Sequence, residues 1–408
     1  MAVVLVFVTF LLGGCNKNEK KPPTVRLSLW CSSENINMVK QLLEDFQEQY
    51  KSEAVFNIIL SEEDEITCKD TVLANPKNAA DVFMFASDQF EDLYRAGALL
   101  PVSFETDRVI EENGGKTSSA VTTFMRYDKL YAFPATAGNG YFLYYNKNYF
   151  TEEDVKSLDR ILEVAAQNNK KFSMDFKSGW YIYSFFKGAG LNVELNDNKL
   201  TNSCDWNSRT NSITGVDVTQ AMLDIASHKG FFSCGDEDFI KGVRNGDIIA
   251  GVNGAWNAKT VKESFGDGYA ATKLPEYSAG GQSVQMSSFM GYKAVGVNAY
   301  TGNEEWAMKL ARFITNEESQ LVRFENIGDC PSNVNAMASE AVKSDPAVSA
   351  LAKQSKYSYL QDVAETFWTP AYTFGTIIAA GNPDGTNLQE LLDDMVEQIE
   401  RIPEEKPQ

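Results

Sequence analysis

The sequence predicts an α/β fold in two lobes, each an open, mainly parallel sheet flanked by helices. Three observations carry this expectation. At 408 residues the chain exceeds what one ordinary core organises, and domain-size scaling suggests about two units. Hydrophobic residues make up 43% of it, enough to fill a core in each. Twice along the chain, short apolar runs alternate with segments of helical period, the pattern of parallel strands joined by crossover helices.

The elements follow in order. Val25 to Trp30 reads as a strand, and Ser33 to Tyr50 as a helix whose buried stripe is Met38, Val39, Leu42, Leu43, Phe46 and Tyr50, with Ser33 or Asn35 as N-cap. Ala54 to Leu60 is strand, Cys68 to Ala74 a short helix, and Asp81 to Ala86 a third strand. Ligands of such sheets bind beyond the carboxyl ends of the strands, which singles out Cys31 to Asn35 and Ser87 to Gln89. A second alternation starts after Tyr131 to Pro134. Thr151 to Asp154 has a capping-box pattern and is expected to open a helix carrying Val155, Leu158, Leu162 and Ala165. Helices are expected near Tyr181 to Lys187 and Gly215 to His228, and strands at Asp247 to Val252 and Tyr292 to Val297. Glu304 to Phe313 reads as a helix, and the turn Asn382 to Gly385 precedes a last amphipathic helix with Leu388, Leu391, Leu392, Met395 and Ile399 on one side.

Charge and cysteine usage narrow the function classes. A net charge of -19 argues against nucleic acid and against broad adhesion to anionic lipid. The apolar run Ala2 to Leu12 is far shorter than the roughly 20 residues of a membrane span, so it reads as an export signal. Gly13-Gly14-Cys15 resembles a bacterial lipobox, which implies a signal peptide over 1–14 and a diacylglyceryl group on Cys15. Residues 15–23, with Lys17, Lys20, Lys21 and Pro22-Pro23, would tether the body to the outer face of the cell membrane. Cys31, Cys68, Cys204, Cys234 and Cys330 show no C-x-x-C spacing, so no zinc site is expected. Cys204 and Cys234 bracket the helix near Gly215 to His228, and in an exported chain they are expected to pair as a disulfide.

Catalytic signatures are thin. The one histidine, His228, falls at a helix C-terminus, where an imidazole serves the last carbonyls. There is no G-x-S-x-G, H-E-x-x-H or Gly-rich phosphate loop, and Gly138-Asn139-Gly140 is not followed by a helix. No enzyme activity, cofactor or metal is therefore expected; the competing reading is a glycosidase using Glu34 and Asp88. Aromatics are the richer signal, at 12% of the chain. Trp180, Trp256 and Trp368 stand beside turn residues, outside apolar periodic runs, where a core role and a ligand-stacking role are equally open. Trp306, on a helical stripe, reads as core.

Several motifs then occur in a fixed order: Leu27-Ser28-Leu29-Trp30, Ala80 to Phe90, Tyr144-Tyr145-Asn146-Lys147, Gly251 to Trp256, Leu274-Pro275, Ser288 to Gly291, and Glu365-Thr366-Phe367-Trp368. Together, from about Val25 to Ile402, they resemble family 1 extracellular solute-binding proteins of ABC importers, of the maltose-binding type. That resemblance implies a periplasmic-binding-protein-like fold of type II. One lobe would be 24–134 with 295–338, the other 139–289 with 345–408, and the crossings would lie near 134–139, 289–294 and 338–345. It implies a monomer that captures maltooligosaccharides by hinged closure and delivers them to permease subunits; a beta-linked or other oligosaccharide is the alternative ligand. Carried over residue by residue, the sugar-contacting acids fall on Glu34 and Asp88, and the aromatic platforms on Trp256, Trp368, Trp180 and Phe85, the last standing where the family has tryptophan. The first-hinge acid falls on Asn139 and the basic residue after the first strand on Asn35, while Ser33 and Gln89 complete the expected edge of donors and acceptors.

Overall fold

The computed structural model describes residues 21–402 apart from Ile66; the expected signal peptide, Cys15 and the tether before Lys21 lie outside the described residues. Two five-stranded sheets organise it. Their strands are, in chain order, β1 Thr24–Cys31, β2 Val55–Glu62, β3 Val82–Ala86, β4 Phe133–Thr136, β5 Tyr141–Asn146, β6 Lys171–Ser173, β7 Phe231–Phe232, β8 Ile248–Gly254, β9 Tyr269–Thr272 and β10 Lys293–Val297. The first sheet has the order β2-β1-β3-β10-β4 and the second β7-β6-β8-β5-β9. In each, four strands run in one direction and the fifth, β10 or β5, is inserted antiparallel to both its neighbours. These two inserted strands are the ones that carry the chain in from the opposite lobe.

Each sheet has its own core. Leu27, Leu29, Phe46, Phe83 and Phe133 pack with Val295, Ala307 and Leu310 in the first lobe. Tyr141, Leu143, Ile161, Phe172, Phe185 and Trp206 pack with Phe367, Phe374, Leu392 and Ile399 in the second. The stripes read from the sequence face these cores: Met38, Val39, Leu42, Leu43 and Phe46 are buried on the helix Ile36–Tyr50, and Trp306 packs on the first core from Glu304–Phe313. His228 caps the helix Gly215–Ser227, its Nδ1 accepting the Gly230 N–H at 3.0 Å.

Two expectations are corrected. Thr151 and Asp154 do exchange capping bonds, but they enclose only a 3-10 turn, Asp154–Lys156. The extended backbone of Ser157 ends that turn, and its hydroxyl caps a separate helix, Leu158–Gln167. Cys204 and Cys234 are both free thiols. Cys204 is buried in the second core, whereas Cys234 Sγ sits 3.0 Å from Ser173 Oγ, and burial pushes its thiol up to about 11.

Between the lobes the chain passes through hydrogen-bonded segments lying side by side. Asn139 N donates to Gly291 O at 3.3 Å, and Ala137 N to Cys330 O at 2.8 Å. Ser87 and Tyr292 bond twice, through Ser87 N to Tyr292 O at 2.8 Å and Tyr292 N to Ser87 Oγ at 3.1 Å. At their root Lys293, the first residue of β10, is buried with Nζ 2.7 Å from Glu65 and 3.8 Å from Asp329. Burial alone would lower this ammonium's pKa, but the carboxylates of Asp329, Glu65 and Glu34 raise it, so it stays charged. Replacing Lys293 by Ala strands two buried carboxylates and should cost about 3–5 kcal/mol. Urea unfolding should then show a lower midpoint at unchanged slope, and a loss below about 1 kcal/mol would contradict this account.

Candidate functional site

One wall of the cleft is aromatic and comes from the second lobe. The buried run of β8 ends at Gly254, and the 3-10 turn Ala255–Asn257 folds the Trp256 ring back over that glycine. A Cβ at Gly254 would lie 1.9 Å from the ring, so no other residue fits there. Asp236 locks the arrangement, Oδ2 accepting Trp256 Nε1 at 2.7 Å and Oδ1 accepting Asn253 Nδ2 at 2.9 Å. Trp180, in the first turn of the helix Gly179–Gly188, sits with its ring centroid 5.7 Å from that of Trp256 and 4.6 Å from that of Tyr141. Trp368 opens the helix Trp368–Ala379 and packs edge-on against Phe367 at 4.9 Å. All three indoles are half-buried, and Trp180 and Trp368 rest on the second core.

The opposite wall is acidic and is built from the ends of the first lobe's strands. Ser33 and Glu34 lie in the 3-10 turn Ser33–Asn35 that follows β1 and are exposed to the cleft. Burial raises the Glu34 carboxyl above its ordinary range while Lys293 pulls it back. Asp88, in the turn Ser87–Gln89 after β3, is half-buried and enclosed from both lobes. Burial pushes its carboxyl up to about 6, against the opposing pull of its own backbone N–H and of Lys69. The Gln361 side chain from the second lobe also bonds Asp88, and its Oε1 accepts Trp180 Nε1 at 2.7 Å. Lys69 reaches across the cleft mouth to Glu365 at 2.9 Å and also pairs with Asp92 at 3.3 Å. Asn139, half-buried, lies with its amide beside Gly291 where the crossings meet.

Glu34 and Trp256 thus line one cavity, Trp180 lies beside Trp256, and Gln361 joins Trp180 to Asp88, whereas three other expected site residues are taken up inside the first lobe. Phe85 is 0% exposed and packs between Phe83 and Phe124, because β3 is buried on both faces and this position points into the lobe. Asn35, also 0% exposed, is consumed inside the lobe: Nδ2 donates to Ser32 Oγ at 2.7 Å and to Glu65 at 3.3 Å, and Oδ1 accepts from Arg323. Gln89, 4% exposed, ties the helix Cys68–Ala74 to its turn, accepting Lys69 N at 3.1 Å and donating to Glu65 O at 2.5 Å. Sequence reasoning missed Asp236, Gln361, Lys69 and Glu365. Their roles depend on partners brought from the other lobe or from a neighbouring element, and no local motif marks them.

The model of the bacterial extracellular solute-binding protein family matches residues 41–350. A galactooligosaccharide-binding protein of Bacillus subtilis is 27% identical over 66% of the chain and 65% of its own length, so the chain matches a little under two thirds of that relative. A maltooligosaccharide ABC transporter solute-binding lipoprotein of Streptococcus pneumoniae is 23% identical over 81% of the chain and 79% of its own. Among solved structures, the maltodextrin binding protein MalE1 of L. casei BL23 without ligand superposes with a TM-score of 0.75 at 26% identity, over 93% of this chain and 99% of that one.

Asp88 carries a testable consequence. Its folded carboxyl titrates near 6 against an ordinary 3.8, so the folded protein binds the extra proton between those values. That contribution to stability is complete below about 3.8 and is lost as pH rises through about 6. Melting temperatures of the wild type, compared with those of Asp88→Asn from pH 4 to 7, should converge at the acid end. An identical pH slope in the two proteins would remove Asp88 as its source.

Proposed function

We propose that this chain, which belongs to the bacterial extracellular solute-binding protein family, captures an alpha-1,4-linked glucose oligosaccharide between its lobes and hands it to the permease of an ABC importer. The observation that carries the reading is the pairing of indoles from one lobe with acids from the other: Trp256 and Glu34 line one cavity, and Gln361 joins Trp180 to Asp88. A sugar ring has apolar C–H faces and an equator of hydroxyls. Flat indoles serve the faces and carboxylates the equator, and neither wall alone satisfies both. Closure of the lobes on the sugar is the output a permease reads, with the ligand's preference for the closed form setting the shift. A lipid on Cys15 would keep the protein at the outer face of the membrane, and the pneumococcal relative is itself a lipoprotein.

Galactooligosaccharides are the second reading, favoured by the Bacillus relative's own name. The glycosidase alternative has Glu34 and Asp88 to draw on, and prolonged incubation followed by product analysis would expose it. Calorimetry with maltose through maltohexaose should show binding near micromolar, about -8 kcal/mol, with the sugars recovered intact. Heat only with a galactooligosaccharide series would replace the ligand and leave the class standing. Trp256→Ala and Trp368→Ala should each weaken binding by roughly 1.5 kcal/mol or more in a protein that still folds. Unimpaired binding by either variant would return that indole to a purely structural role. Solution scattering should give a smaller radius of gyration with saturating sugar, and an unchanged profile despite confirmed binding would count against closure.

A further inference from the structure

Side chains link the lobes at two depths. Lys69 and Glu365 meet at 2.9 Å, but the Glu365 side chain is 70% exposed, and an ion pair so open to water contributes little. The deeper link is the Gln361 amide, which is buried and joins Trp180 of the second lobe to Asp88 of the first. Chemistry settles which way this amide points. An indole N–H can only donate, so Trp180 Nε1 takes the amide oxygen at 2.7 Å, and the amide nitrogen is left for Asp88, whose ionised carboxylate can only accept. The backbone beneath is fastened to a crossing: Gln361 follows the strand Ser358–Leu360, which pairs in parallel with Ser288–Met290, and its N–H donates to Met290 O at 2.8 Å. Met290 in turn packs on the first core. Trp180 is held at its backbone too, its carbonyl accepting the Tyr141 hydroxyl at 2.7 Å.

We propose that Gln361 is a positioning residue, its single amide setting the Trp180 indole of one lobe and the Asp88 carboxylate of the other against each other as the lobes meet. Its effect on sugar affinity rests on the reading of the cleft as a glucan site, whereas its effect on the lobes does not. The charged groups around Asp88 are Lys69, from the helix Cys68–Ala74, which pulls the carboxyl down, and Glu365, from the second lobe, which pushes it up. Those two are paired with each other, so Gln361 is the donor that the second lobe brings to this carboxylate. A hydrogen bond to an ionised acceptor is among the stronger kinds, and a buried carboxylate deprived of it has no water to replace it. The amide thus ties closure to the placing of an aromatic platform and an acid at once.

The test uses the full chain and two variants. Gln361→Met keeps the length of the side chain and removes both hydrogen bonds, whereas Gln361→Glu keeps the acceptor for Trp180 and removes the donor to Asp88. Solution scattering without sugar reads the link itself. At pH 8, where Asp88 is ionised, both variants should have a larger radius of gyration than the wild type. At pH 5 the two facing carboxylates of Gln361→Glu share a proton, which restores a donor, so this variant alone should return toward the wild-type value. Adding Asp88→Asn to Gln361→Glu turns the hydrogen bond around and should restore the wild-type radius at pH 8. Calorimetry with maltotriose, each variant against the wild type at the same pH, should show about tenfold weaker binding for both at pH 8 and for Gln361→Met alone at pH 5. A side chain that only fills space would give losses indifferent to pH. Wild-type scattering from both variants, or a Gln361→Glu defect equal at the two pH values, would overturn the proposal. Scattering as described beside a wild type that binds no maltotriose would sink the glucan reading and leave the link standing.

Discussion

The buried ammonium of Lys293 is the constraint around which the two lobes are arranged. It lies at the start of β10, where the chain re-enters the first sheet, and Glu65 and Asp329 reach it from separate turns. Asp329 stands next to Cys330, whose carbonyl holds Ala137 of the first crossing, so this one charge pins neighbouring crossing segments at their first-lobe ends. Such clusters are costly to desolvate and replacing them by apolar groups is often neutral, so their use is more often geometric than energetic. Here the geometry is a common root for the segments that join the lobes. Lys293 also lies 6.0 Å from the centroid of the Trp256 ring, which brings the anchor of one lobe against a cleft residue of the other.

The two walls differ in how they are held. The indoles rest on a packed lobe and each of Trp180 and Trp256 is fixed by a hydrogen bond from its Nε1, so little side-chain freedom remains to be lost on stacking. The acids sit in short turns at strand ends, and burial raises the carboxyl groups of both Glu34 and Asp88. A hydroxyl donated to either one replaces missing solvation. A rigid apolar platform facing under-solvated acceptors suits a ligand with both kinds of surface and rewards neither a purely apolar nor a purely charged one.

Much of this was legible in the sequence where the signal is local and periodic. The helix Glu304–Phe313 and the short helix Cys68–Ala74 have the bounds their patterns indicate, and the cleft acids stand beyond β1 and β3, where strand-end logic puts them. The failures share a cause. Phe85 lies in a strand buried on both faces, and such a run carries no alternation to say which side chains look outward. Asn35 is claimed by Arg323, 288 residues away, and Gln89 by Glu65 and Lys69, so a polar residue after a strand is as easily spent inside the lobe as offered to a ligand. The cysteine pair failed because each thiol is held by its own surroundings, Cys204 in the second core and Cys234 beside Ser173, which spacing along the chain does not show.

The inserted strands also set the order in which the molecule can assemble. Until β10 arrives, β3 and β4 have no partner between them, and the first sheet keeps a gap beside β3 while the second sheet, from β5 to β9, is laid down. The missing strand begins at Lys293, so its pairing with β3 closes a loop that contains the whole second sheet. Long-range closures of this kind slow folding and leave partly formed sheets with open edges for longer. A nascent chain therefore holds its first lobe unfinished through most of its synthesis, and β10 is the strand whose late arrival completes it.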